Sequence, residues 1–513
     1  MTRGRIPPER AAALVTVLLL ATAFIGRSVI SWDAAEAISD TLGFLIQGRF
    51  EAAKLPSAEL GPESAFAFRS HYGLFPSLLL LPFTAVPWAL RSVLGPPGLD
   101  AGIALAWTTG TLLAVAAFRR LCRVLVPASS PWWAPAFLAG TFLWAYAADS
   151  FFETFAAAGL AVAAAGILEG ERRPGVQPAI LAGAAFSGAA LLKPVLWILV
   201  PAFALGAVLS WRGREGVLRR TVVFGVLLAS GLAVGWAASA LRFGGGANFG
   251  YGDEALRFTT PLLQGFYGLL LSPGRGLLFF APLALVGVVR LHFRGVPPAV
   301  RVLCGAAPLL LLLTVARFEG WHGGSAWGPR HVLPVLPLLV APAILARRRA
   351  ILPTVAVGVG VNALGVLVAA GAWMSWVELW RPPAGAGWPK SGPEIVSVVP
   401  ALSPIRGHAF LLGRLIGLPL PSPAFRIGAT ERVPVPDAVQ FASPAFLRAL
   451  LGLPPMRPMV PSLLHRIGAA YALRGDLASA ASFLREALAL APDRPGLREL
   501  LIEVETRTGP PPR

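Results

Sequence analysis

Charge is scarce in this chain. Of 513 residues only 14% are charged against 55% hydrophobic, and acidic side chains are the rarer sign, 26 against 44 Lys and Arg. A water-soluble domain cannot cover its surface with so little charge, so a soluble globular protein is excluded and a polytopic membrane protein is indicated. Cysteine is nearly absent. Cys122 lies beside Arg119, Arg120 and Arg123, and Cys304 lies inside an apolar run, which gives no disulfide framework. The lack of any CxxC or His/Cys cluster removes a structural zinc site. The opening MTRGRIPPER and AAALVTVLLLATAFIG lack the small-residue cleavage site of a signal peptide, Arg27 and Trp32 standing there instead, so this stretch reads as an uncleaved first helix. The net charge of +18 comes from Lys and Arg set mostly in short loops between apolar runs, a topology signal that implies no nucleic-acid partner.

What is present is a series of apolar runs of roughly 17 to 22 residues, each long enough for a bilayer core of ~30 Å. They begin near Ala11, Asp100, Pro131, Phe151, Gln177, Pro194, Thr221, Gly276, Ala299, His331 and Ile351. The expected fold is therefore all-α, with about 11 transmembrane helices. The positive-inside rule puts the basic clusters at 3–10, 119–123, 172–173, 212–220, 290–294 and 347–349 in the cytoplasm. Three apolar stretches, 11–30, 73–94 and 100–118, separate the first two clusters, and an even number must cross. Residues 73–94 carry Pro76, Pro82 and Pro87, so they are read as a juxtamembrane or re-entrant segment on the outer face. The N-terminus is then inside and the C-terminus outside.

This gives a transmembrane domain at 1–374, in which 31–99 form the first outer loop with its juxtamembrane helices, a Pro/Gly-rich outer-face region at 375–460, and a helical tail at 461–513. In the tail, Gly468, Tyr471, Ala480, Ala487 and Pro492 have the spacing of one tetratricopeptide repeat. Such a hairpin either docks on its own domain or binds a protein partner.

The same parity gathers the unusual polar residues on the outer face. Asp33, Glu36 and Asp40 recur at helical spacing just after the first run, where a carboxylate needs water, a counter-charge or a metal. Asp149 and Glu153 form a second acidic site in AADSFFETF, with Asp149 also placed to cap a helix at 151–168. Carboxylates from two spans can hold a divalent cation such as Mg or Mn, for which Asp33 and Asp149 are the candidates, or one can act as a base. No cofactor is otherwise implied. A cationic group, His71, Lys193, Arg242, Arg257, Arg275 and Arg330, lies where the positive-inside rule disfavours it; guanidinium forks suit phosphate oxygens. Lys193 is the sharpest, since LLKPVLW is otherwise apolar, though a lysine there can also snorkel to the interface. Aromatic and glycine-rich loops supply sugar- or acceptor-lining candidates: Tyr72, Tyr251, Asp253, Glu254, Trp321, His322 and Trp327.

With SWDAAE after the first span, HYGLFPSLLLLPF closing the outer loop, WAYAADSFFETF, LLKP and a late WHGGSAWGPRHVLPVLP, residues 10–372 resemble the GT-C superfamily of polyprenyl-phosphate-sugar-dependent glycosyltransferases. Among its members they look most like bacterial relatives of protein O-mannosyltransferases and aminoarabinose transferases, in glycosyltransferase family 39. The resemblance implies inverting transfer of a sugar from a lipid-linked phosphate on the outer face of a bacterial inner membrane. It maps the catalytic acid to Asp33, but Ala34 follows where relatives often have Glu, so Asp33 and Glu36 both stand as the base. The second acid maps to Asp149 or Glu153. The donor-phosphate site follows from chemistry alone, as Lys193, Arg275 and Arg330 with His71.

Such a reaction needs a membrane cavity for the polyprenyl chain, cations for the leaving phosphate and a carboxylate for the acceptor hydroxyl. The partners implied are the polyprenyl-phosphate sugar donor, membrane lipid, and a glycan, lipid or protein acceptor that the sequence does not specify. Two other readings compete. A lipid or glycan transporter should show paired repeats and mid-span polar residues, which are absent; a non-catalytic scaffold would work through the tetratricopeptide-like tail.

Overall fold

The computed structural model of the chain describes residues 6–23, 73–149, 151–245, 257–324, 326–368, 403–416, 477–490 and 496–508. It also describes short pieces at 37–38, 40–41, 44–45, 373, 396–397, 400, 418, 424–427, 431–434, 464–465, 468, 472 and 492. The chain divides into two units. The first comprises 1–55, 65–371 and 393–405, and the second 56–64, 372–392 and 406–513.

The first unit is helical throughout its described residues. Its helices are α1 (Pro8–Thr22), α2 (Leu74–Ala89), α3 (Arg91–Leu125), α4 (Trp133–Ala139), α5 (Glu153–Glu169) and α6 (Gln177–Leu192). They continue with α7 (Pro194–Trp211), α8 (Val217–Phe243), α9 (Leu262–Leu271), α10 (Pro282–Leu291), α11 (Pro298–Arg317), α12 (Arg330–Leu345) and α13 (Arg348–Leu367). Proline opens α7, α10 and α11 at the first turn, where its missing N–H has no helical partner to lose.

Among the described residues, five helices are long and apolar enough to cross a membrane: residues 101–125 of α3, and α7, α8, α11 and α13. With the composition, they make the chain an integral membrane protein. The other expected spans are shorter or jointed. The run from Pro131 breaks at Gly140 between α4 and a 3-10 turn at Phe142–Ala147, and the run from Gly276 breaks at Ala281. The segment 73–94 is helical despite its prolines, Pro82 and Pro87 lying within α2. It folds back along α3, where a Cβ at Gly102 would run into the carbonyl oxygen of Phe83.

α5 is the centre of this unit. Fourteen of its residues are buried, and it packs on α3, α6, α7 and α12. Its sequence, ETFAAAGLAVAAAGILE, explains why: small side chains let neighbouring backbones close in on every side. A Cβ at Gly159 would stand 2.8 Å from the carbonyl of Ala185, and one at Gly166 2.9 Å from that of Pro178, so α6 lies almost in backbone contact.

The second unit departs from the all-α expectation. It contains an antiparallel hairpin, β1 (Ala424–Ile427) against β2 (Glu431–Pro434), with Phe425 opposite Val433. A helix at Pro404–Leu415 lies mostly in this unit, and α14 (Leu477–Leu490) and α15 (Leu497–Thr508) pack through Ala480, Phe483, Leu484, Leu497 and Val504. Gly468 fits beside Leu484, and Arg485 pairs with Glu505 at 2.7 Å across the two helices. This pair joins the second helix of the expected repeat to the helix that follows it; the repeat's first helix lies mostly outside the described residues. The assignment as a tetratricopeptide repeat stays a proposal, since Tyr471 lies outside the described residues.

Candidate functional site

Three chain breaks at one end of α5 build the site. Lys193 precedes Pro194, and the clash of a proline ring with the residue before it drives Lys193 out of the helical region, to φ −136° and ψ 92°. α6 ends there. The lysine amine then reaches sideways to the first turn of α5, where its Nζ lies 2.7 Å from Oε1 of Glu153. Glycines with left-handed backbone at 323, 324 and 328 turn the WHGGSAWGPRH loop back on itself. They deliver Arg330 to the same carboxylate, its Nε 3.1 Å from Oε1. The Arg330 guanidinium also lies over the ring of Phe151, 4.4 Å from its centroid.

Glu153 is 1% exposed, and the side chains of Lys193 and Arg330 are 11% and 12% exposed. Two cations thus share one buried carboxylate, which concentrates positive charge at this end of α5. The start of α5 adds to it, because the free N–H groups of a first helical turn favour negative charge. A cavity of about 290 Å3 opens onto this cluster, lined by Glu153, Lys193, Ile198, Phe258, Phe318 and His331. One wall is polar and cationic, the rest apolar.

Several expected residues have other partners. Asp149 does not cap α5. The helix begins after Phe152 without any side-chain cap, and Glu153 is the acid in its first turn. Asp40 is fully buried and paired with Arg242. Arg257 lies 3.7 Å from Glu319.

Arg275 is also fully buried. It donates to the carbonyls of Gly324, Ala326 and Gly328 and, at 3.1 Å, to Oγ of Ser397. It clasps the arginine-bearing loop instead of lining the cavity. Burial pulls its guanidinium down to about 10, so it remains a cation at neutral pH.

Trp321 and Trp327 were expected to line a sugar site, yet both are enclosed. Trp327 donates to Oδ1 of Asn362 at 3.1 Å and meets Phe280 edge to face, while Trp321 fills the space left by Gly268. They anchor the loop. His322 accepts a hydrogen bond at Nδ1 from the backbone N–H of Gly324, 3.1 Å away. Desolvation, then Arg275 and Arg330, lower it to about 3, so it stays neutral.

Asp33, Glu36, His71, Tyr72, Tyr251, Asp253 and Glu254 lie outside the described residues. Among the described residues no group of three or more His, Cys, Asp or Glu could hold a metal ion. Two contributors went unnoticed in the sequence. Phe151 lies beneath Arg330, and His331 lines the cavity while donating from Nε2 to the carbonyl of Gly320 at 3.1 Å. For His331 a signal existed, since it directly follows Arg330 in a motif already singled out.

No family model matches the chain, and no curated protein does. Among solved structures it is similar to two of ArnT from Cupriavidus metallidurans. The one bound to undecaprenyl phosphate has 15% identity and a TM-score of 0.44, with 79% of this chain and 72% of that chain covered. The apo structure has 18% identity and a TM-score of 0.42, with 80% and 72% covered.

Proposed function

We propose that the chain is a membrane glycosyltransferase that moves a sugar from a polyprenyl-phosphate donor to an acceptor on the outer face, with inversion. The observation that carries this reading is the trio of Glu153, Lys193 and Arg330, of which Glu153 and Lys193 line an otherwise largely apolar cavity. Two cations, nearly shut off from water, suit a phosphate that is itself carried on an apolar chain.

In the proposed reaction the acceptor oxygen attacks the anomeric carbon. The bond from that carbon to the phosphate oxygen breaks, and the polyprenyl phosphate departs with the bonding electrons. Lys193 and Arg330 stabilise the charge that grows on it, while Glu153 holds both cations in place. Asp33 or Glu36 of the first loop takes the proton of the acceptor hydroxyl. Arg275 acts at one remove, by fixing the loop from which Arg330 projects.

The test is reconstitution of the full chain in vesicles with a radiolabelled polyprenyl-phosphate sugar and a crude acceptor extract from the cell envelope. Transfer of label out of the lipid fraction, lost in Lys193→Ala, supports the reading. Movement of intact labelled lipid between leaflets without cleavage would make the protein a transporter instead.

A further inference from the structure

The opposite end of α5 carries a second arrangement that the proposed reaction leaves unused. An open apolar groove of about 700 Å3 runs along α5, floored by Ala158, Gly159 and Val162 and walled by Leu113, Ala116 and Ala117 of α3. These residues recur three and four apart, so each set forms a single stripe of its helix. The α3 stripe continues through Arg120 to Arg123. Arg120 lines the groove and also a second concavity of about 580 Å3, together with Arg123, Glu169, Arg172 and Arg173. Groove and basic pocket therefore meet at Arg120.

The pocket is a built one. Glu169, the last residue of α5, grips Arg120 in a fork, with Nε 2.9 Å from Oε1 and Nη2 2.7 Å from Oε2. Arg173 lies 3.7 Å from the same carboxylate. The loop bearing Arg172 and Arg173 is held from beneath by Arg220, 3% exposed, which donates to the carbonyls of Gly170 at 2.6 Å, Gly175 at 2.8 Å and Arg173 at 3.1 Å. Four arginines and one carboxylate thus line the pocket, two of the arginines paired with that carboxylate. Among the described residues, no ion pair joins Arg123 or Arg172 to an acid of the chain. A topology signal accounts for basic residues in these loops, but it does not require them to line a concavity that meets an apolar groove.

We propose that pocket and groove together bind one anionic glycerophospholipid of the cytoplasmic leaflet, with its phosphate among Arg120, Arg123 and Arg172 and an acyl chain along the stripe of α5. The charge selects the headgroup, because a net-positive pocket between helices favours an anionic phosphate over a zwitterionic one. The meeting with the groove at Arg120 selects a lipid over a free anion, which would use the pocket alone. Gly188 of α6 lines the groove and is open there, a Cβ at that position meeting nothing within 4 Å.

The test uses the purified full chain in detergent and compares dioleoyl phosphatidylglycerol, dioleoyl phosphatidylcholine and inorganic phosphate. Binding is read by native mass spectrometry and by the shift in Tm. The expected result is a one-to-one adduct and a raised Tm with phosphatidylglycerol, and little effect from the other two. Arg123→Ala/Arg172→Ala, which leaves the Arg120 fork and the Arg220 clasp intact, should raise the phosphatidylglycerol concentration needed for half-saturation at least tenfold. Gly188→Leu, which fills the groove without touching a charge, should do the same. Equal effects of phosphatidylcholine, or of phosphate alone, would overturn the proposal. So would a Gly188→Leu protein that binds phosphatidylglycerol normally but no longer binds a polyprenyl phosphate, because the groove would then belong to a chain entering from the other side.

Discussion

The amine of Lys193 and the carboxylate of Glu153 lie 2.7 Å apart, although one residue closes α6 and the other opens α5. Two antiparallel helices therefore meet at these ends through an ion pair nearly closed to water. Removing one partner of such a pair strands the other charge, at a typical cost of ~3–5 kcal/mol. We predict that Glu153→Gln, which strands two cations at once, lowers Tm more than Lys193→Met does. Glu153→Gln/Lys193→Met should recover part of that loss. A double variant no more stable than Glu153→Gln alone would show that Lys193 and Glu153 are not coupled.

Donor affinity should separate the two cations from their carboxylate. Lys193→Ala is predicted to weaken binding of a polyprenyl-phosphate sugar about ten- to a hundredfold, at ~1.5–3 kcal/mol for a charge-assisted hydrogen bond. Acceptor affinity should change little. Equilibrium binding of labelled donor to purified variants measures this, and an unchanged Kd in both Lys193→Ala and Arg330→Ala would remove the phosphate from this site.

Turnover should depend on the first loop. Asp33→Asn keeps shape while deleting the basic lone pair, and loss of a general base typically costs ~10²–10⁴-fold in rate. The prediction fails if both Asp33→Asn and Glu36→Gln turn over at the wild-type rate.

His322 sets a pH dependence. Its folded value of about 3 lies below the ordinary 6.5, so protonation favours the unfolded chain. The stabilising effect of the neutral ring is complete above pH 6.5 and is lost as pH falls from there towards 3. Tm should therefore drop between pH 7 and pH 5, and His322→Gln should flatten part of that slope. A wild-type Tm that is constant over this range would contradict the assignment.

Topology gives a fifth prediction. Single cysteines placed at Leu94 and Gly509 should react with a membrane-impermeant maleimide from the outer side. The native Cys122 and Cys304 are buried and add no background. Labelling of either site only from the cytoplasmic side would reverse the expected orientation.

Much of the helical layout was legible because apolar runs and proline positions act locally. The run lengths marked most of the helices, and LLKP alone located the break that frees Lys193. The charge rule put Lys193, Glu153 and Arg330 on one face. It did not reveal that a single carboxylate gathers both cations, because that depends on α5 and α6 lying side by side and on three glycines turning a distant loop. Trp321, Trp327 and Arg275 misled for a related reason. Their chemistry suits a ligand as well as it suits a loop anchor, and only burial separates the two uses. The break at Gly140 was also hidden, since the surrounding sequence is as apolar as a continuous span.

The small residues of α5 bear on how the protein enters the bilayer. In translocon terms a segment is held by the free energy of its own side chains, to which Leu, Ile, Phe and Val each contribute roughly −0.3 to −0.6 kcal/mol. α5 has few of these, and its seventeen residues reach about 25 Å, short of a ~30 Å core. The helix most enclosed in the finished unit is therefore poorly equipped to insert by itself. Glycosylation mapping should find the segment 153–169 largely translocated when presented alone, and retained when α3 precedes it and α6 follows. Full retention of the isolated segment would mean that its insertion needs no neighbours.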